Sequence, residues 1–214
     1  TDADSGDATR SLSVYGKVAY DTKLDNDLRL RFSASGYHNP HNGGSGLTMY
    51  WGDRTGSNYQ LVMETVGADV KTQAWSGRIN PSFGGKQTSG MFNAFAEYKG
   101  LEFFGTFENA SGYKVTTVAG VPTKAATSGN YTQYAGELLY RFGNKEQFYV
   151  GGKYNVINGK DNDTAAERKI DRFNLAGGWF MTKNILAKVE YVNQKYNNSN
   201  VWGATSALKG GKFK

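Results

Sequence analysis

The chain contains no cysteine, which excludes a disulfide scaffold and a thiolate metal site. Proline is almost missing too, at 3 of 214 residues, so long extended segments run without breaks. No stretch approaches the roughly 18 consecutive apolar residues of a transmembrane helix. Nor is there a block of basic residues. The net charge of +6 and the pI near 9.3 come from lysines and arginines spread along the chain, which makes nucleic acid the weakest partner class. An anionic membrane surface and anionic solutes remain. The chain opens at Thr1 on a polar stretch, and any export signal is expected to have been removed or to lie outside it.

What is present is glycine, at 28 residues, together with 14 tyrosines and 12 phenylalanines. Aromatic, glycine-punctuated composition points to strands and turns. Mean hydropathy is −0.59, as for a soluble domain. A membrane β-barrel also averages out polar, because alternate residues face its lumen and its loops are hydrophilic. Periodicity therefore has to decide.

Eight segments alternate with period two. Residues 11–21 place Leu12, Val14, Val18 and Tyr20 against Ser13, Lys17 and Asp21. Residues 27–38 place Leu28, Leu30, Phe32 and Ala34 against Arg29, Arg31, Ser33 and Ser35. Residues 90–99 set Phe92, Ala94, Ala96 and Tyr98 opposite Asn93 and Glu97. Residues 101–108 set Leu101, Phe103 and Phe107 opposite Glu102, Thr106 and Glu108. The remaining four run over 131–142, 147–156, 172–182 and 186–196. Most are about ten residues, long enough to span a bilayer when tilted, whereas ordinary globular strands are nearer five or six.

The connections alternate as well. Short turns follow the first, third, fifth and seventh segments, and long polar loops at 39–89, 109–130 and 157–171 separate the hairpins. This is the up-and-down barrel pattern, with short turns periplasmic and long loops extracellular. The bland reading is a soluble antiparallel sandwich or barrel. Aromatics near segment ends (Tyr20, Tyr98, Tyr140, Phe142, Phe148, Tyr154) favour interfacial girdles on a lipid-facing surface instead. Threaded this way, both termini fall on the long-loop side. The expectation is thus a portion of a larger barrel, and the rival is a complete eight-stranded one. The loop at 39–89 holds apolar pieces at 47–51 and 59–63, expected either to add a hairpin to the wall or to fold inward and narrow the pore.

Several stretches resemble the phosphate-selective porin-like (O/P type) family of outer-membrane barrels, in its C-terminal portion. They are Gly77-Arg78-Ile79-Asn80-Pro81-Ser82-Phe83 with Met91-Phe92-Asn93-Ala94-Phe95, and above all the hairpin Glu97-Tyr98-Lys99-Gly100-Leu101-Glu102-Phe103-Phe104-Gly105-Thr106-Phe107-Glu108. Tyr50-Trp51-Gly52-Asp53-Arg54-Thr55-Gly56-Ser57 with Tyr59, and Glu190-Tyr191-Val192-Asn193-Gln194, have similar texture. The resemblance implies a pore whose last strand lies beyond Lys214. It transfers no phosphate site, because no extended ladder of arginines and lysines is visible.

Alternation assigns Lys17, Arg29, Arg31, Arg141, Lys153 and Lys188 to the lumen, with Glu97, Glu102, Glu108, Glu137 and Glu190. One reading is a charged constriction that selects ions by sign. The near balance of signs favours the other, a mutually neutralised wall. Arg29 and Arg31 stand out, about 7 Å apart on one strand face. If the turn pairs Asp21 with Asp27, Lys17 falls opposite Arg31, and the three basic residues form the best anion contact. Asp21 and Asp27 share that face at its turn end and could partly neutralise it.

His38 and His41 flank Asn39-Pro40 in a loop and read as solvated residues more readily than as metal ligands. Turn chemistry accounts for Asp25-Asn26-Asp27 and Asp161-Asn162-Asp163 without calcium. No catalytic triad or working carboxylate pair is indicated, and no cofactor is implied. The expectation is an antiparallel transmembrane β-barrel wall in the outer membrane of a diderm bacterium. It contacts bilayer and outer-leaflet lipid and passes small hydrophilic solutes, with anions preferred, alone or in an oligomer or larger envelope complex. The alternative is a non-conducting structural or partner-binding barrel.

Overall fold

Alternating residues make strands whose two faces differ, and such strands pair so that like faces align. The computed structural model describes residues 11–41, 64–65, 77–81, 83–197, 199–202, 208–209 and 212–213. Eight long strands follow the chain: β1 (Val14–Lys23), β2 (Leu28–Asn39), β3 (Phe83–Tyr98), β4 (Leu101–Val118), β5 (Gly129–Phe142), β6 (Phe148–Lys160), β7 (Arg168–Thr182) and β8 (Ile185–Tyr196). Each pairs antiparallel with the next, so the sheet order is the chain order. The architecture is an all-β, antiparallel, up-and-down sheet. Among the described residues β1 pairs only with β2, and the sheet is open. The apolar pieces at 47–51 and 59–63, and the motif at 50–57, lie outside the described residues.

Three shorter pieces complete the picture. Val121–Lys124 folds back on the end of β4, with Val118 opposite Val121. Lys212–Phe213 runs parallel to the end of β8, with Lys195 opposite Lys212. Leu208–Lys209 pairs separately with Glu64–Thr65.

Strand β4 reaches well into the stretch expected as a polar loop at 109–130, β5 enters it only at Gly129 and Asn130, and β6 and β7 extend into 157–171. The outer ends of β4 and β6 are rich in Ser, Thr, Asn and Gly, so backbone pairing continues where apolar alternation has stopped. The turn between β1 and β2 also departs from expectation. Asp25 Oδ1 accepts the backbone N–H groups of Asp27 and Leu28, both at 2.8 Å. That cap centres the turn later and sets Asp21 opposite Arg31, and Lys17 opposite Ser35. The slip is even, so every side chain keeps its face.

Between β3 and β4 the two-residue turn Lys99–Gly100 has positive φ at both positions, 47° and 79°. A Cβ on Gly100 would sit 2.6 Å from the carbonyl oxygen of Arg141, so the glycine serves both the turn and the approach of β5.

Register then fixes two faces. On the first, an apolar belt crosses all eight strands. Along one row Tyr20, Phe32, Ala94, Gly105, Gly136, Tyr154 and Phe173 lie successively opposite one another. Among the described residues nothing covers this face: Leu138 is 52% exposed and Tyr154 51%. Tyr140, Phe142, Phe148 and Trp179 stack in sequence along its turn-side rim, with centroids 5.7–5.9 Å apart. Tyr154 sits mid-belt instead of at an end. Toward the loops the belt gives way to His38, Thr88, Ser111, Thr132 and Asn158.

Candidate functional site

The second face carries the charges. Lys17, Arg29, Arg31, Glu97, Glu102, Glu137, Arg141, Lys153, Lys188 and Glu190 all lie on it, as the pairings of adjacent strands place them. Most of them are brought together in ion pairs.

The expected basic trio does not form. Arg29 Nε and Nη2 donate to Asp21 at 3.0 and 2.7 Å, and Arg31 Nε and Nη2 donate to the same carboxylate at 2.9 and 2.7 Å. The turn cap sets Asp21 between the two guanidiniums, and Lys17 lies four residues away toward the loops, opposite Ser35. Arg29 also faces Glu97 across β2 and β3, and Glu97 faces Glu102 across the next pair. Arg141 Nε donates to Glu102, and its guanidinium lies over the Phe180 ring at 6.0 Å. Lys153 meets Glu137 at 3.7 Å, and Lys188 meets Glu190 at 2.9 Å. Asn174 also donates its amide to Glu190. Most of these groups are partly solvated, so each pair adds little to stability; their effect is to cancel charge locally.

Three basic residues on this face, Lys17, Lys23 and Arg172, make no ion pair within 4 Å among the described residues. Arg172 opens the seventh alternating segment, where its face was not assigned. Counting back one residue from Phe173 would have placed it.

Aromatic residues also occur on the polar face. Phe95 and Phe104 lie opposite each other between Arg31 and Glu137, and Phe104 is 41% exposed. Sequence reasoning assigned neither of them to a face.

Toward the loop end a small core forms on the polar face. Phe83, Ala110 and Tyr131 are buried there, with Ile79 and Ile157 packed against them. Gly112 admits Phe83, for a Cβ there would lie 2.6 Å from the ring. The Tyr196 hydroxyl donates to the Gly77 carbonyl at 2.9 Å. The segment 77–81 thus runs across the polar face, from β8 to the cluster on β4–β6.

Beside it, Asp161 is buried. It accepts from Tyr131 Oη at 2.7 Å, Lys114 Nζ at 2.9 Å and Arg168 Nη1 at 3.3 Å. Turn chemistry does not account for Asp161, though it does for Asn162, whose Oδ1 takes the N–H groups of Thr164 and Ala165. His38 Nδ1 bonds Thr88 Oγ1 at 2.8 Å, and the His41 N–H donates to Asn39.

The chain matches no protein-family model, no curated protein and no solved structure.

Proposed function

We propose that the chain forms wall of an outer-membrane β-barrel pore, through which small hydrophilic solutes diffuse passively. The observation that carries this reading is the uncovered apolar belt. It spans eight strands, far beyond the few hundred Å² that soluble monomers leave exposed. Along β4 it extends from Leu101 to Phe107, roughly 20 Å at the strand rise. Membrane barrels carry an apolar band roughly 25 Å tall with aromatic girdles, and the stacked Tyr140–Trp179 rim suits such a girdle. Lipid, including that of the outer leaflet, is then the partner of the belt, and water that of the opposite face.

On this reading the strands belong to a closed barrel, as the resemblance to phosphate-selective porin-like proteins implies. About eight strands leave a filled interior and about 16 an aqueous channel, so the assembled strand number governs conduction. The wall performs no bond chemistry. Its ion pairs keep water ordered along the lumen without a strong field. Lys17 and Arg172, each without a close acid, tilt the balance toward anions.

The course of segment 77–81 favours a second reading, a barrel with an obstructed lumen and a structural or binding role. Single-channel recording of the full-length protein in a planar bilayer, with a salt gradient across it, separates the two. Stable steps support the pore, and their reversal potential reports the sign preference. Silence from a correctly folded barrel overturns the pore.

A further inference from the structure

The polar face of β5–β8 holds a hollow of about 560 Å³. Small residues make it. Gly151, Ala176 and Gly178 line up across β6 and β7, and the Tyr149 ring fills the space over Gly178. Pockets for small organic molecules fall in this size range.

The charges around the hollow are not evenly satisfied. Glu137 has Lys153, Glu190 has Lys188, and Arg141 has Glu102. Arg172 lines the same hollow, with no carboxylate within 4 Å among the described residues. Its strand neighbours on this face are amides: Asn155 directly across on β6, Gln194 across on β8, and Asn174 two residues on. A guanidinium is a planar fork that matches a carboxylate bidentately, and neighbouring amides both donate to and accept from hydroxyl groups.

We infer that this hollow binds a small hydroxylated carboxylate of about the size of a sugar acid, with Arg172 holding the carboxylate and Asn155 and Asn174 the hydroxyls. The inference rests on the reading that this face meets water in the barrel. Gaining a solute there exchanges the hydration of Arg172 for a charge-assisted pair in a partly enclosed site. The Lys153–Glu137 and Lys188–Glu190 pairs border the site and are left intact. A neutral sugar would forgo the Arg172 contact, and an amino sugar would meet repulsion.

The test is titration calorimetry of the full-length folded protein in detergent micelles, with sodium gluconate as probe and glucose and glucosamine as comparisons. Calorimetry needs no conduction, so its result stands apart from the bilayer recording. Saturable gluconate binding is expected, at least about tenfold tighter than glucose. Arg172→Gln should weaken gluconate about tenfold, and Arg172→Lys should recover part of the loss. Lys17→Gln removes another isolated cation of the same face, away from the hollow, and should leave binding within about twofold. Equal affinity for gluconate and glucose would overturn the site. So would an equal loss in the Lys17 and Arg172 variants, which would mark a diffuse charge effect.

Discussion

Asp21 and Arg31 face each other across the first hairpin, Nη2 to Oδ2 at 2.7 Å, and the same carboxylate also grips Arg29. One acid thus holds two guanidiniums, and this corner of the wall carries one surplus positive charge in place of two or three. Asp21→Asn should release both. In a salt gradient the reversal potential is expected to move toward the anion value, with the anion-to-cation permeability ratio rising about two- to threefold. An unchanged potential would remove this hairpin from the permeation path.

Leu175 and Asn174 are neighbours on β7 and point to opposite faces. If the belt meets lipid, Leu175→Arg should cost about 2–4 kcal/mol, while Asn174→Arg, beside Glu190 on the wet face, should cost under about 1 kcal/mol. Urea unfolding in lipid vesicles measures both. Equal costs would contradict the assignment of faces.

Tyr196 holds the segment 77–81 through a hydrogen bond to the Gly77 carbonyl. Tyr196→Phe keeps the ring and removes the donor, a loss of about 1 kcal/mol, or about fivefold in the anchoring equilibrium. More frequent transitions in single-channel records are expected. Identical records would show that the ring packing, including the Trp202 contact at 5.0 Å, is sufficient.

Asp161 joins Tyr131, Lys114 and Arg168 at the loop end. Asp161→Asn keeps the shape and an oxygen for Tyr131 but leaves two cations without their acid, costing about 2 kcal/mol. Faster hydrogen exchange should be confined to the outer ends of β4, β5, β6 and β7. Exchange unchanged there would show that the apolar cluster around Phe83 holds these ends without the ion pairs.

Much of this arrangement is visible in the residues alone, because alternation is a local signal. Leu28, Leu30 and Phe32 against Arg29 and Arg31 define a strand and its faces with no knowledge of the partner strand. Register is harder. The choice between pairing Asp21 with Asp27 or with Arg31 turned on one Asp25 side chain bonding two backbone N–H groups. The outer part of β4 and the first residues of β5 escaped notice because Ser111, Gly112, Gly129 and Asn130 pair through their backbones and carry no apolar rhythm. Asp161 was read as a turn residue because its partners lie 30 and 47 positions away in the chain, a juxtaposition that only the sheet creates. Phe95 and Phe104 went unassigned for a different reason: an aromatic at a polar-face position breaks the alternation that marks the two faces.

Strand β1 presents its outer N–H and C=O groups to no strand among the described residues. In hydrocarbon each orphaned group costs several kcal/mol, and a row of them is prohibitive. A sheet with that margin bare cannot dissolve in a bilayer, however well its belt matches the lipid. If this sheet enters a membrane, pairing of that margin and insertion therefore have to occur together, since no state with the margin bare is stable in lipid.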